Sequence, residues 1–201
     1  MARQKTLILA SGSPRRREIL ASLGLNFDVA AADIDERQNA GESPADMVKR
    51  LAEAKARAVA VRSPTDALVI GSDTAVVLDG QVFGKPVNAD DAASMLQRLS
   101  GRWHEVMTAV ALLEDGRADV AISITRVRFR DIDPAEAAIY WQSGEPADKA
   151  GGYAIQGLGG VFVEALEGSY TGVVGLPVFE TATMLRRAGL DILNLQQMPA
   201  P

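Results

Sequence analysis

Apolar positions along this chain switch between a period of about two and a period of nearly four, and the switches mark its elements. Thr6-Leu7-Ile8-Leu9-Ala10 is a short run that predicts a buried strand. Ser13-Pro14 then supplies a cap and a first helical residue, and the helix they open stops at Gly24. Residues 27–30 predict a strand and residues 33–38 a polar loop. Ser43-Pro44 opens the clearest helix, with Asp46 as its acidic third position and Met47, Leu51 and Ala54 or Ala58 on one face. Arg50, Lys55 and Arg57 are distributed around that helix, which ends near Arg62-Ser63-Pro64.

Ala67-Leu68-Val69-Ile70 is a β-branched apolar run that Gly71-Ser72-Asp73-Thr74 interrupts and Ala75-Val76-Val77-Leu78 resumes, predicting two strand halves around a polar break. Asp79-Gly80 is a hairpin signal, with residues 81–83 as the return strand. After Gly84-Lys85-Pro86, a helix capped by Asn88 runs to about Leu99, and Ser100-Gly101 closes it. Two long strands, residues 105–113 and 118–130, meet at Asp115-Gly116. The uneven register of Ile122, Ile124, Val127 and Phe129 predicts a bulge or twist near Arg126. Asp133-Pro134 starts a helix through Trp141, residues 144–160 form glycine-rich loops, and residues 161–163 are strand-like. Pro177 begins a last helix, to Arg187, which Gly189 ends. The order is mixed α/β, and its two hairpins require a mixed rather than wholly parallel sheet.

Composition narrows the chemistry. A chain of 201 residues, 47% apolar and 23% charged, is expected to be a soluble globular protein, either one large domain or two lobes sharing a sheet. Residues 1–195 are expected to form a single domain and residues 196–201 a flexible tail. No apolar stretch is long enough for a membrane span, and Met1 to Lys5 lead straight into the first strand with no room for a signal peptide, so the expected location is cytoplasmic. Zero cysteines exclude disulfides, thiol nucleophiles and cysteine-held metals, and the single histidine, His104, leaves little scope for a Ser-His-Asp hydrolase. Any metal must then be held by carboxylate oxygens, which favours Mg²⁺ or Mn²⁺. A net charge of −5 argues against a stable nucleic-acid partner.

Four stretches could carry phosphate chemistry. Ser11-Gly12-Ser13-Pro14-Arg15-Arg16-Arg17 puts arginines in a first helical turn, where they oppose the macrodipole unless an anion sits there; the alternative is a solvent-facing basic turn. Asp73, in its polar break beside a glycine, suits a general base or a metal ligand, or else a turn aspartate bonded to its own backbone. Lys85 suits a phosphate oxygen or is an exposed turn lysine. In the stretch from Glu145 to Gly160, glycines allow close backbone approach and Gln156 offers a donor and an acceptor for a base edge; the alternative is a structural loop whose ionic groups pair with one another. His104 reads as a bonded structural residue, and Trp103 and Trp141 as core or interface.

Together these segments are similar to the Maf family of nucleotide pyrophosphatases. The resemblance is carried by Leu9-Ala10-Ser11-Gly12-Ser13-Pro14-Arg15-Arg16, Asp35-Glu36, the run from Arg50 to Ala56, Gly71-Ser72-Asp73-Thr74, Gly84-Lys85-Pro86, and Ser100-Gly101 with His104, Val106 and Thr108. It continues through Glu145-Pro146, Asp148-Lys149-Ala150-Gly151-Gly152-Tyr153, Ile155-Gln156-Gly157, Gly168-Ser169-Tyr170 and Val173-Val174-Gly175-Leu176-Pro177. It implies a twisted mixed sheet flanked by helices, with two lobes around a nucleotide cleft as in inosine-triphosphatase-like proteins. It also implies divalent-metal hydrolysis of a nucleoside triphosphate to the monophosphate and pyrophosphate. The Asp-Lys-Ala-Gly-Gly-Tyr and Ile-Gln-Gly segments resemble the branch acting on dTTP and UTP. Modified pyrimidines such as 5-methyl-UTP and pseudo-UTP are further substrates proposed for that branch, and nucleotide-pool cleaning and cell-division arrest are its proposed roles.

The resemblance implies Asp73 as proton acceptor and ties Arg15, Thr74 and Gln156 to pyrimidine selectivity. It assigns Ser11, Arg16, Glu36, Lys55 and Lys85 to the rest of the pocket; for a divalent metal bridging the phosphates, Glu36 and Asp73 are the candidate carboxylates. A homodimer is compatible with the family, although no stretch demands one. One departure is visible: Gly172 stands where the family commonly has asparagine before Val-Val-Gly-Leu-Pro. The rival of another class is a non-catalytic nucleotide or nucleic-acid binding module, which needs neither metal nor Asp73. A phosphatase releasing orthophosphate is a second rival, because residue chemistry alone does not choose which phosphorus is attacked.

Overall fold

Seven strands and seven helices make up a computed structural model that describes residues 5–195; the expected tail at 196–201 and the first four residues lie outside the described part. The strands are β1 (Leu7–Leu9), β2 (Asp28–Val29), β3 (Leu68–Leu78), β4 (Gln81–Phe83), β5 (Trp103–Glu114), β6 (Arg117–Phe129) and β7 (Val163–Glu167). The helices are α1 (Pro14–Ser22), α2 (Pro44–Ala60), α3 (Ala89–Leu99), α4 (Pro134–Gln142), α5 (Tyr170–Val174), α6 (Val178–Arg187) and α7 (Ile192–Leu195). The sheet order is β2-β1-β3-β5-β6-β7, with β4 paired to β3. Strand β1 is parallel to both β2 and β3, whereas the β3–β4 and β6–β7 pairs are antiparallel, so the sheet is mixed as expected.

Local chemistry explains most element boundaries. Ser43 caps α2 by accepting from the Asp46 amide, and Asn88 caps α3 through the Asp91 amide. Helix α4 begins with a full capping box, Asp133 with Glu136. Both hairpins have positive φ at each central residue, Asp79-Gly80 and Asp115-Gly116, the geometry that matches strand twist. Ser13 departs from expectation: its side chain makes no cap bond at α1, and its amide instead donates to Ser11 Oγ.

Two further expectations need correction, and a third is met close to where it was placed. The polar break at residues 71–74 is no break, because β3 runs unbroken from Leu68 to Leu78. The irregularity of β6 expected near Arg126 is found two residues on, at Arg128/Phe129, where pairing with β7 shifts register. Residues 161 and 162 belong to a 3₁₀ turn, and β7 starts only at Val163. The short helices α5 and α7 carry too few residues for a periodic signal.

The chain packs as two compact units, and β3, β5 and β6 contribute residues to both. The first comprises residues 1–73, 108–122 and 175–201, as far as they are described. Its core sets Leu7, Leu9, Leu68, Ile70, Val110 and Leu112 from the sheet against Leu20 of α1 and Met184 and Leu185 of α6. The second comprises residues 74–107 and 123–174, and its core gathers Val76, Phe83, Leu96, Leu99, Val127 and Phe129.

Aromatic rings close the second core. Phe129 and Tyr153 meet edge to face at 4.7 Å between ring centres, as do Tyr140 and Phe162 at 5.2 Å. His104 lies among them, 2% exposed, with Nε2 at 2.8 Å from the Tyr153 hydroxyl. Burial lowers the His104 pKa to about 4. Both tryptophans are half-buried, and Trp103 lies under the Arg126 guanidinium at 4.5 Å.

Because His104 titrates lower when folded than when unfolded, the unfolded chain binds more protons between about pH 6.5 and pH 4. The stabilisation due to neutral, buried His104 is therefore complete above that window and is lost as pH falls through it. The wild type should lose on the order of 2 kcal/mol from this group between pH 7 and pH 5. His104→Gln should remove that part of the slope. Urea titrations of both proteins at the two pH values measure the difference.

Candidate active site

Helix α2 buries a stripe of Met47, Val48, Leu51, Ala52, Ala56 and Val59, and Lys55 is the one charged side chain in it. At 7% exposed, its ammonium ends 2.7 Å from Asp73 Oδ1 and 2.7 Å from Glu36 Oε1. Asp73 lies within β3 and is also 7% exposed, whereas Glu36 sits on the polar loop with its side chain more than half exposed. Burial raises the Asp73 pKa above its ordinary value, and the charges of Lys55 and Arg16 pull against that shift without cancelling it.

Gly71 makes this approach possible. Residues 71 and 73 share one face of the strand, and a Cβ at 71 would stand 2.1 Å from the Ala52 carbonyl oxygen and 2.8 Å from the Ala56 nitrogen. The missing side chain thus lets the backbone of α2 lie against β3, which carries Lys55 to Asp73. The opposite face of β3 holds Ser72, fully buried, with Oγ 2.8 Å from the Ala109 carbonyl and 2.9 Å from the Gly175 carbonyl. Gly175 O also accepts from Arg16 Nε at 2.8 Å, while Arg16 Nη1 donates to Ser11 Oγ at 3.3 Å. Ser11, Arg16, Glu36, Lys55 and Asp73 are therefore assembled in the first unit. Arg15 is half-buried one position before Arg16 on α1.

Thr74, Lys85 and Gln156 belong to the second unit. Thr74 is half-buried in β3, and Lys85 and Gln156 are exposed. The turn bearing Lys85 and the stretch leading to Gln156 are tied by a backbone bond, Gly151 N–H to Gly84 O, at 3.0 Å. Gly151 has φ of +70°, and a Cβ there would stand 3.0 Å from Val76, so both its conformation and its packing call for glycine. Gly172 is nearly as tight, since a Cβ there would lie 3.2 Å from Ser169 Oγ and 3.3 Å from Ser123 Oγ.

A model of the family described as Maf-like protein matches residues 6–188. The chain belongs to the Maf family. A protein of Hahella chejuensis named dTTP/UTP pyrophosphatase is 53% identical over 94% of this chain and 95% of its own length. A Methylococcus capsulatus protein of the same name is 52% identical over 97% and 96%. Among solved structures, the Staphylococcus aureus Ham1 protein matches 62% of this chain and 72% of that one at 14% identity and a TM-score of 0.47, a likeness too distant to bear on the site.

Among the described residues of this Maf chain, no three His, Cys, Asp or Glu side chains converge as a self-sufficient metal centre. Glu36 and Asp73 nevertheless place two carboxylate oxygens around one cation, the Lys55 ammonium. Two hard oxygen ligands fit Mg²⁺ or Mn²⁺ in sites where substrate phosphates and water complete the shell. Ser72 and Gly175 stand in segments that carry the family resemblance, but their bonds to one another and to Arg16 have no signal in the sequence. A serine inside a strand has no spacing signature, and a backbone oxygen leaves none.

Gly71→Ala should lower stability by about 2–3 kcal/mol, because the new methyl overlaps helix backbone that no rotamer change can move. Gly84→Ala, where a Cβ meets nothing within 4 Å, should change stability by less than about 0.5 kcal/mol. Urea midpoints of the two variants against wild type test the contrast.

Proposed function

We propose that the protein hydrolyses dTTP and UTP, together with modified pyrimidines such as 5-methyl-UTP and pseudo-UTP, to the nucleoside monophosphate and pyrophosphate. The observation that carries the proposal is the buried Asp73 carboxylate paired with Lys55 and under the charge of Arg16, in a chain half identical to proteins named dTTP/UTP pyrophosphatase. Burial raises the proton affinity of Asp73, while two cations keep its anionic form accessible, as a general base requires.

In this reaction Asp73 takes a proton from water as the water oxygen bonds to the α-phosphorus. The bond from that phosphorus to the α–β bridging oxygen breaks, and pyrophosphate leaves with the electron pair. Arg15, Arg16, Lys55 and Lys85 neutralise the triphosphate and the charge growing on the leaving group. Ser11 fixes the Arg16 guanidinium through its hydroxyl. Gln156 reads the pyrimidine edge, and Arg15 and Thr74 add to selectivity. Glu36 and Asp73 are the residues that would hold Mg²⁺ or Mn²⁺, which when bound supplies further charge neutralisation at the phosphates. Such an activity suits clearance of modified pyrimidine triphosphates from the nucleotide pool of the cytoplasm.

Incubation of the protein with a nucleotide panel and Mg²⁺, scoring pyrophosphate against orthophosphate, should give pyrophosphate and monophosphate from dTTP and UTP, and EDTA should stop the reaction. Asp73→Asn should lower kcat by at least about 10³-fold, while calorimetric titration still detects bound dTTP. Near wild-type turnover in Asp73→Asn sinks the base assignment. Orthophosphate as first product sinks the pyrophosphatase reading, and binding without turnover by the wild type leaves a nucleotide-binding module.

A further inference from the structure

Glu145 sits at the start of the glycine-rich stretch, outside every group assigned above to base, phosphate or metal. Its carboxylate accepts three bonds: the Tyr140 hydroxyl on Oε1 at 2.5 Å, the Gly159 amide on Oε1 at 2.9 Å and the Leu158 amide on Oε2 at 2.9 Å. The Tyr140 hydroxyl in turn accepts from the Ala154 amide at 3.1 Å. Tyr140 is 5% exposed, so one buried phenol and one carboxylate hold the backbone on both sides of Gln156.

Two glycines leave room for these groups. A Cβ at Gly157 would stand 2.0 Å from Glu145 Oε2, and a Cβ at Gly159 would stand 2.6 Å from the Tyr140 hydroxyl. Neither glycine has a positive φ, so space rather than backbone conformation is what each provides. Burial pushes the Glu145 carboxyl up, but the Tyr140 hydroxyl, the two amides and the Lys149 charge together hold it below its ordinary value. It is an anion at neutral pH and acts only as an acceptor.

We infer that Glu145, with Tyr140, is a positioning residue for pyrimidine selectivity: the pair sets where the exposed Gln156 side chain stands by fixing the amides of residues 154, 158 and 159. The inference rests on the proposed role of Gln156 as the base reader. Misplacing a polar group that must meet a base edge removes discrimination rather than chemistry. Glu145→Ala and the milder Tyr140→Phe should therefore act mainly through KM for dTTP and UTP.

The test measures kcat and KM for dTTP and dGTP in wild type, Glu145→Ala, Tyr140→Phe and Gly157→Ala. In Glu145→Ala the preference for dTTP over dGTP should fall by roughly 10-fold, carried by KM, with kcat for dTTP within about threefold of wild type. Gly157→Ala keeps the carboxylate but fills its place, so it should lower the same ratio. When the two substitutions are combined their effects should not add, since both act through one contact. Equal losses on both nucleotides, or an unchanged dTTP KM in Glu145→Ala and Tyr140→Phe alike, overturn the inference while leaving the pyrophosphatase reading intact. A wild type without preference for dTTP overturns that reading and the inference with it.

Discussion

One buried ammonium organises the first unit. Lys55 lies in the apolar stripe of α2, where a lysine is tolerated only if its charge is met, and Asp73 and Glu36 meet it. Removing one partner of such a pair typically costs several kcal/mol, because the other charge is left without water or counter-ion. The surrounding structure follows from this requirement. Helix α2 must approach β3 closely enough for a lysine to reach mid-strand, so position 71 carries no side chain. The strand must also run straight through its polar residues, which keeps Gly71 and Asp73 on the helix side and Ser72 on the other. Ser72 then reaches Gly175 O, the atom that also holds Arg16. Asp73, Lys55 and Arg16 are thus set by a short chain of contacts running through both faces of one strand.

That chain explains what was legible in the sequence and what was not. The long helices and both hairpins were readable, because caps at Ser43, Asn88 and Asp133 and the Asp-Gly turns are local chemistry. The polar stretch Gly71-Ser72-Asp73-Thr74 reads as an interruption for a physical reason. A strand interior that satisfies its polar side chains with a lysine and two carbonyls looks, residue by residue, like a turn. The burial of Lys55 was available to periodicity: it falls four residues after Leu51 and eight after Met47, on the apolar face. Its partners were not, since Asp73 and Glu36 lie on opposite sides of it in sequence and only the fold brings them to one atom. Resemblance to a family grouped these residues, whereas spacing alone did not.

The second unit solves a different problem. Residues 144–162 form three 3₁₀ turns instead of a helix or a strand, so their amides lack a regular ladder to donate into. Glu145 and Tyr140 accept three of those donors, and Gly84 O accepts a fourth, from Gly151. His104 anchors the same stretch from the core side through the Tyr153 hydroxyl. Side-chain acceptors therefore do here what a neighbouring strand does in a sheet. The glycines that made the stretch look like an open loop are the positions where these acceptors come closest to the backbone.

The two constructions suit two kinds of work. Charge that must be held in low dielectric while a bond breaks is best placed on a strand and a helix whose packing allows little displacement, and Asp73, Lys55 and Arg16 lie on such elements. A polar side chain that meets a ligand can equally be presented from an irregular turn, provided other groups hold that turn's backbone. Gln156 occupies that kind of position, exposed between residues whose amides are held. The acceptors that hold them lie outside its own turn, on α4 and just beyond it, so the turn is ordered without the geometry of a regular element. On the proposed function, the phosphate chemistry and the choice of base would rest on separate sets of contacts, and a change in one set need not disturb the other.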